Sequence, residues 1–379
     1  MSTDYIFDLT DNKEHENADL SSLHLSDATI ELLKRRCFNA FTLKGRRNSM
    51  NNTVQQKVAL FAENTQLIKK EFALQDTLTK RLAALLYAQA GKTIDCEAIR
   101  QCHAIIKQGT GVFSVFRGDM ALCVSALLSL SPNPQELFNE ALKVYDLLKG
   151  VKLRASDFLA VAAYQIAAEA DASEYERVVT RTRAFYDGMK AHHFFYTGQD
   201  DYIFAAMLGL TDLDTEAGVE QIERLFLRLK DEFWDKNSVQ TLAQVLVLGG
   251  SESEVENRVL SLRDALRAQK IKLDKTYTLP VLGILALLPV DADTLVRDLN
   301  EAQAYLRTQK GFGSLSLTTQ ELLLFAASLL AGEYAQGAKD GIVTAALSTG
   351  ITNIIIAQHA AMIAAISASS AAASASASS

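Results

Sequence analysis

The fold of this chain is decided by the stretch from Asp201 to Lys230, and above all by its first third. Residues 202–210 read YIFAAMLGL, which is apolar on every side. A helix without a polar face has to be buried all round. After a polar break in which Asp214 is placed to cap the next helix, apolar residues recur at helical spacing over residues 219–229, with charged residues between them. The stretch therefore predicts a buried helix followed by a half-buried, amphipathic one.

This two-helix unit recurs along most of the chain. The buried runs begin at anchor residues spaced 38 to 44 positions apart, and each run is rich in alanine and leucine. The anchors are Thr77, Asp119, Asp157, Asp201, Val239, Tyr277 and Thr319. Such a period, with two helices in each repeat, is typical of stacked helical hairpins. We predict an all-α fold of about seven two-helix units, arranged as an α-solenoid or an α/α-toroid.

Several partner helices carry a readable start signal. Asn133-Pro134 supplies a cap and a first-turn proline. Ser173 with Glu176 has the spacing of a capping box, as does Ser251 with Glu254. The apolar spacing from Val54 predicts one further helix, which we expect to cover the first repeat as an N-terminal cap.

Composition limits the function. The formal net charge of −7 argues against a general nucleic-acid binder, which needs a basic face. The four cysteines do not form a disulfide framework and no signal peptide precedes them, so a cytoplasmic location is expected. Cys96 and Cys102 would face different sides of a helix, which favours core packing over a metal site that includes His103. We expect no metal, no cofactor and no catalytic residue.

Three regions are predicted along the chain. Residues 1–49 have an acidic start and a basic cluster at residues 34–47, and we expect a disordered extension, with Met50 as the true start of the protein. Residues 50–368 are expected to form a single helical-repeat domain. Residues 369–379 are an Ala/Ser-rich tail that we expect to be disordered.

The run Ile342–Ala368 is long and apolar enough to suggest a membrane helix. Asn353, Gln358 and His359 interrupt it, and each would need a partner in hydrocarbon. We therefore predict no membrane span, and a helix pair that closes the array.

The connectors that precede the buried helices all lie on one edge of the array. They place several helix N-termini along one rim. Asp119, Asp157, Asp200 and Ser238 are interpreted most simply as N-caps. The alternative is a ligand-binding rim, for which the candidate residues are Arg117, Asp119, Gln199, Asp200 and Asp201.

Two aromatic features lie in or beside these connectors. His192-His193 precede Phe194, Phe195 and Tyr196, and we interpret this connector as one that packs on the array. Trp234, the only tryptophan, follows Phe233 and is interpreted as a packing anchor.

The stretch Ala304–Ser314 combines a helix end with a Gly-Phe-Gly turn. It resembles one repeat of the α/α-toroid families, such as prenyltransferases and terpene cyclases, although their metal ligands have no matching positions here. The glycines are also explained as a helix stop, so the resemblance indicates curvature only.

Six stretches carry a family resemblance: Lys80–Ala88, Phe116–Gly118, Thr197–Ala206, Gln244–Gly250, Leu288–Asp291 and Ile354–Gln358. Through them the chain, from about Met50 to the C-terminus, resembles an uncharacterised bacterial family, domain of unknown function 4003. This resemblance implies no activity, substrate or catalytic residue.

We therefore expect a helical-repeat scaffold or interaction module of a bacterial cytoplasmic protein, which binds a protein or peptide partner. The alternative is a toroid-like enzyme or small-ligand binder that uses the polar rim. A closed ring around a deep polar cavity would favour the alternative, and an open, shallow surface would favour the scaffold.

Overall fold

Amphipathic and apolar helices alternate along the chain. The structure, a computed structural model, describes residues 50–72, 75–250, 254–337 and 350–365. In chain order its α-helices are α1 (Asn52–Glu71), α2 (Thr77–Gln89), α3 (Cys96–Gly109), α4 (Ala121–Leu130), α5 (Pro134–Gly150), α6 (Asp157–Glu169), α7 (Tyr175–His192), α8 (Asp201–Leu210), α9 (Thr215–Leu229), α10 (Lys236–Leu248), α11 (Val255–Ala268), α12 (Leu279–Leu287), α13 (Ala292–Thr308), α14 (Thr319–Gly337) and α15 (350–365). The predicted extension 1–49 and the tail 369–379 lie outside the described residues.

The odd-numbered helices α1 to α13 form an outer layer, and the even-numbered helices α2 to α14 form an inner one. Almost every residue of an inner helix is buried, whereas an outer helix buries one stripe. Four predicted anchors, Thr77, Asp157, Asp201 and Thr319, are the first residues of inner helices. The other three anchors lie within three residues of a helix start. The prediction of an all-α fold built from about seven two-helix units is confirmed.

Each outer helix packs most closely on the inner helix that follows it, so the hairpins are α1–α2, α3–α4 and onward to α13–α14. The sequence predicted the opposite phase, with each inner helix paired to the outer helix after it and the helix from Val54 as a terminal cap. That pairing was wrong. Helical spacing shows which face of an amphipathic helix is buried, but two inner helices flank that face and the spacing does not choose between them.

The first hairpin packs against the last. α1 contacts α13 and α14, and α2 contacts α14. Phe61 of α1 is fully buried, with its ring centroid 5.4 Å from that of Phe312 and 5.1 Å from that of Phe325. Lys57 adds a 2.9 Å ion pair with Glu333 across the same seam. The helices therefore form a closed ring, which selects the toroid from the two predicted arrangements.

Helix α15 lies inside this ring. The imidazole of His359 is 4.5 Å from the ring of Phe325 in α14, and the Asn353 amide donates to Glu169 of α6 over 2.8 Å. Gly350 faces Met207 of α8, because a Cβ at this position would lie 2.2 Å from the Met207 methyl carbon. These contacts come from two sides of the ring, since α6 and α8 are neighbours and α14 lies three inner helices away from each. An occupied centre explains why the inner helices have no polar face: their inward side is covered too.

Helix α15 belongs to the segment Ile342–Ala368, which was predicted to close the array as a helix pair, and residues 342–349 and 366–368 of that segment lie outside the described residues. Only residues 350–365 of that segment are described, and their single helix fills the centre of the ring. A local apolar pattern shows that a helix is buried but not what buries it. Among the helices of the described ranges, none is long and apolar enough to cross a membrane.

Candidate functional site: the connector rim

Seven connectors lead from an outer helix to the following inner helix, and all of them reach the same end of the ring. We call this end the connector rim. It comprises residues 72–76, 110–120, 151–156, 193–200, 230–235, 269–278 and 309–318, of which 73 and 74 are not described. The other end, which we call the opposite rim, is formed by the connectors from inner to outer helices.

The exposed large hydrophobic side chains concentrate on the connector rim. Seven of the nine in the described residues lie in its connectors: Val112, Phe113, Phe194, Phe195, Tyr196, Trp234 and Leu315. The remaining two, Leu67 and Leu227, lie near the C-termini of outer helices, which is the same end of the ring. Phe113, Phe195, Trp234 and Leu315 are 101%, 92%, 95% and 104% exposed. We call these four side chains the apolar tips. An apolar set confined to one end of a molecule marks an interaction surface more often than scattered exposed residues do.

Connector 110–120 is held firmly beneath its tip. Phe116 is buried, with its ring centroid 5.5 Å from that of Phe138 and 5.2 Å from that of Tyr145. The Arg117 guanidinium donates to the Thr110 hydroxyl over 3.1 Å and also to the carbonyls of Lys107 and Thr110. Arg117, a candidate ligand residue from the sequence, therefore fastens the connector that presents Phe113.

Connector 309–318 is fastened in the same manner. Arg307 donates to the carbonyls of Phe312 and Leu317, each over 2.8 Å, and Arg81 donates to the carbonyl of Gly311 over 2.7 Å. Phe312 and Leu317 are buried. Leu315, between them in sequence, is directed to solvent. Because an anchored loop loses little conformational freedom on binding, such a tip is preorganised for contact.

Connector 193–200 begins at His193, whose ring packs 4.0 Å from Phe226 and whose Nε2 lies 2.5 Å from a carboxylate oxygen of Glu223. Burial lowers the pKa of His193 and the Glu223 carboxylate opposes that shift. Phe194 and Phe195 then project from the ring, with an edge-to-face contact of 5.4 Å between them. Lys190 lies 5.4 Å over the ring of Phe194.

The far end of this connector is held by a buried polar network around Asp201. One carboxylate oxygen accepts from the side-chain amides of Gln244, over 2.7 Å, and Gln240, over 3.2 Å. The other accepts from the backbone N–H of Gly198 over 2.8 Å, and Gln240 also donates to the Thr197 hydroxyl over 3.0 Å. The network ties the connector to α10. It therefore fixes the base of the segment that carries Phe194 and Phe195.

Burial raises the pKa of Asp201 to about 7, and the nearby charge of Asp200 raises it further, while the three donated hydrogen bonds oppose the shift. Asp200 is partly exposed and accepts a long hydrogen bond of 3.4 Å from Asn237. It lines a cavity of about 30 Å³ together with Asn237, Ser238, Tyr277 and other residues, including Gln358 of α15. A cavity of this size holds about one water molecule.

The five candidate ligand residues fall into two groups on the rim. Arg117 and Asp119 lie in the connector before α4, where Asp119 faces Asp157 of α6. Burial raises the pKa of Asp157 to about 6, and Asp119 contributes a second, smaller increase. Gln199, Asp200 and Asp201 lie at the start of α8, two inner helices further round the ring. The rim therefore carries two acidic pairs on different hairpins.

The predicted N-caps at Asp119, Asp157 and Ser238 were wrong, and Asp200 was predicted correctly by position only. α4 begins after Met120, α6 is capped by Ser156, and α10 is capped by Asp235. Asp200 occupies the cap position of α8, but its side chain makes no capping hydrogen bond. The sequence locates the first residue of a helix only to within one or two positions, so a polar residue near the start can be mistaken for the cap.

Of the other predicted helix starts, some were confirmed and one was wrong. Asp214 caps α9 through Ala217 N–H, over 3.0 Å, and Pro134 stands in the first turn of α5, as predicted. Ser173 forms no capping box, since a 3-10 turn precedes α7. Ser251 lies outside the described residues.

The prediction for the aromatic residues of the connectors was wrong for Trp234, Phe194 and Phe195, whereas His193 and Tyr196 lie against Phe226 as expected. Trp234 is almost fully exposed and its neighbour Phe233 is the packing anchor, with only 4% exposure. Phe194 and Phe195 project into solvent and do not pack on the array. Within a connector no helical period relates position to direction, so the sequence offered no signal that separates an anchor from a tip.

The cysteines Cys102 and Cys123 are buried, and burial raises the pKa of each thiol. Within the described ranges, no three His, Cys, Asp or Glu side chains are grouped closely enough to hold a metal ion.

One family model matches this chain. It covers residues 64–360 and is described as a protein of unknown function, DUF4003. All six stretches that carry the sequence resemblance lie within the matched region. No curated protein and no solved structure matches the chain.

Proposed function

We propose that this chain, which belongs to the DUF4003 family of proteins of unknown function, is a docking module that binds its partner through the connector rim. The observation that carries this proposal is that, among the described residues, the exposed large hydrophobic side chains lie at one end of the ring. Exposure of an apolar side chain costs free energy in water, and association recovers that free energy.

The anchoring of the connectors supports the proposal. In three connectors a buried aromatic residue stands within three positions of an exposed tip: Phe116 with Phe113, Phe233 with Trp234, and Phe312 with Leu315. Positively charged side chains bind the backbone carbonyls of the same connectors. Since the loops are already ordered, docking would not have to order them.

The rim favours docking over a small-molecule site. The ring is closed, as the alternative function requires, but α15 occupies its centre where a toroid enzyme would hold substrate. The cavity beside Asp200 has room for about one water molecule. The polar groups of Asp201 are used within the protein, on Gly198, Gln240 and Gln244.

Site-specific photo-crosslinking in the natural host tests the proposal. A benzophenone amino acid at Phe195 on the connector rim should give a discrete covalent adduct. The same amino acid at Asn133, an exposed residue of the opposite rim, is the matched control and should give none. Equal adduct formation at the two positions, or no adduct with either protein or lipid at Phe195, would contradict a docking role for this rim.

A further inference from the structure

The four apolar tips are spread around the ring. Phe113, Phe195, Trp234 and Leu315 belong to the second, fourth, fifth and seventh hairpins, counted from α1–α2. Each is 92% exposed or more, so each stands clear of its neighbours and does not line a groove. A surface that is flat and laterally fluid can receive all four tips at once. A folded protein partner would have to span the whole end of the ring with four matching pockets.

Positive charge surrounds these tips. All seven outer helices carry a lysine or arginine in the last turn, where they meet the connector rim, and none of the inner helices does at the other end. The connectors add the exposed side chains of Lys152, Arg154, Lys270, Lys272, Lys275 and Lys310. Basic last turns complement the helix dipole, but the exposed lysines of the connectors lie beyond the helices and are not explained by it.

The opposite rim has the opposite charge. Six outer helices begin there with an acidic residue in the first turn: Glu97, Glu136, Glu176, Glu216, Glu256 and Asp293. Its connectors include Asp171, Asp212 and Glu254. An anionic surface would attract the connector rim and repel the opposite rim. Acidic residues also occur in the connectors of the connector rim, and the exposed ones are Asp76, Asp119, Asp231 and Glu232. Asp231 and Glu232 stand beside Trp234, and Glu232 is paired with Arg263 over 2.8 Å.

From these features we infer that the connector rim docks on the surface of a membrane that contains anionic lipids. This inference rests on the proposed docking function and names its partner. The apolar tips enter the interface between headgroups and acyl chains, as amphipathic surfaces do, and the lysines contact lipid phosphates. No part of the chain has to cross the bilayer.

Vesicle binding by the full-length chain tests the inference, and Trp234 is a built-in probe because it is the only tryptophan and it lies on the rim. With vesicles of phosphatidylglycerol and phosphatidylcholine in equal parts, the protein should sediment with the lipid. The fluorescence of Trp234 should shift to shorter wavelength as its indole leaves water. Raising the salt concentration should release the protein, since charges at a surface are screened. Vesicles of phosphatidylcholine alone should bind it weakly.

Three double variants separate the apolar contribution to vesicle binding from the electrostatic one. The variant Phe113→Ser, Leu315→Ser keeps Trp234 and should lose most of the binding. The variant Lys270→Glu, Lys310→Glu should lower vesicle affinity about tenfold or more, since each basic residue near an anionic surface adds measurably to binding. The matched control is Lys92→Glu, Lys143→Glu, which changes net charge equally but away from the connector rim, and it should bind as the wild type does.

The inference fails if the wild type does not bind anionic vesicles, or if the tip and control variants bind equally well. Thermal unfolding of each variant shows whether a loss of binding reflects a loss of folding. If vesicles do not bind but the benzophenone at Phe195 captures a protein, the membrane inference is overturned while the docking function stands. If neither experiment succeeds, both proposals are wrong.

Discussion

At the scale of single residues, Asp201 shows how hydrogen bonds hold a buried carboxyl group at the base of the connector rim. Its carboxylate is 2% exposed and accepts hydrogen bonds from Gly198, Gln240 and Gln244. Removal from water still outweighs these bonds, and the pKa rises to about 7. The site therefore ties two hairpins together at the cost of holding a carboxyl group out of water, and this group takes up a proton close to neutral pH.

The raised pKa predicts a pH dependence of stability. The folded protein holds the Asp201 proton more tightly than the unfolded chain, whose carboxyl has its usual pKa near 4. The contribution of Asp201 to the free energy of unfolding is therefore largest at low pH and is lost as the pH rises from about 4 to about 7. Asp201→Asn does not titrate, so the stability of the wild type relative to this variant should fall over that range. Urea denaturation at a series of pH values measures it.

Asp157→Asn provides an internal comparison, because the pKa of Asp157 is raised to about 6. The pH-dependent difference between wild type and this variant should be complete at a lower pH than for Asp201→Asn. Parallel stability curves for wild type and Asp201→Asn would show that burial does not raise this pKa in solution.

At the scale of helices, α15 fills the centre of the ring, so the ring encloses no open channel at that position. Burial lowers the pKa of its His359 to about 3, so this imidazole is neutral, and neither of its nitrogens has a hydrogen-bond partner among the described residues. Within the same part of the chain, Gln165 of α6 and Ser328 of α14 also have buried polar atoms without partners. Buried polar groups of this kind are commonly satisfied by internal water.

A matched pair of substitutions tests whether α15 belongs to the core. Ile355 of α15 is fully buried, and Ala364 near the end of the same helix is exposed. Ile355→Asp should destabilise the protein by about 3–5 kcal/mol, because it leaves an uncompensated charge in the core. Ala364→Asp should change the stability by about 0.5 kcal/mol or less. Equal effects of the two substitutions in urea denaturation would remove α15 from the centre of the ring.

The helices were far easier to predict than the rim. Runs such as residues 202–210 and 322–330 are apolar on all sides, and that pattern alone located the starts of α8 and α14. The rim is built from connectors, where Phe233 is buried and Trp234 is exposed although they are adjacent. Which of two aromatic neighbours faces the core depends on the path of the loop, and that path depends on residues far away, such as Arg81 at the carbonyl of Gly311.

At the scale of the whole ring, the closure of the ring and the difference in charge between its two ends have separate causes. Closure comes from apolar packing at the seam between the first and last hairpins. Polarity comes from the outer helices, which begin acidic at the opposite rim and end basic at the connector rim. A ring built in this way has two chemically different ends although all its hairpins follow one pattern.

A substitution at the seam should have a different effect on local opening from one elsewhere in the core. Phe61→Ala should cost about 3–5 kcal/mol, the usual range for a buried phenylalanine. It should also speed amide hydrogen exchange in α1 and in α13–α14 together, because the ring opens where they meet.

Phe138→Ala is the control for this prediction. Phe138 is equally buried but lies in α5, away from the seam, against Phe116. Its substitution should cost a similar free energy and leave exchange in α1 and α14 slow. If both variants speed exchange everywhere alike, the ring opens as one unit and the seam is not its weak point.

The seam also affects how the protein is made. Lys57 and Gln336, which meet through a 2.8 Å hydrogen bond, are 279 residues apart in the chain. During synthesis the first hairpin leaves the ribosome long before its neighbours α13 and α14 exist. Its apolar edge therefore stays open while the intermediate hairpins are added one by one, and the inward sides of the inner helices stay uncovered until α15 is released. We expect the nascent chain to be most prone to aggregation during this interval.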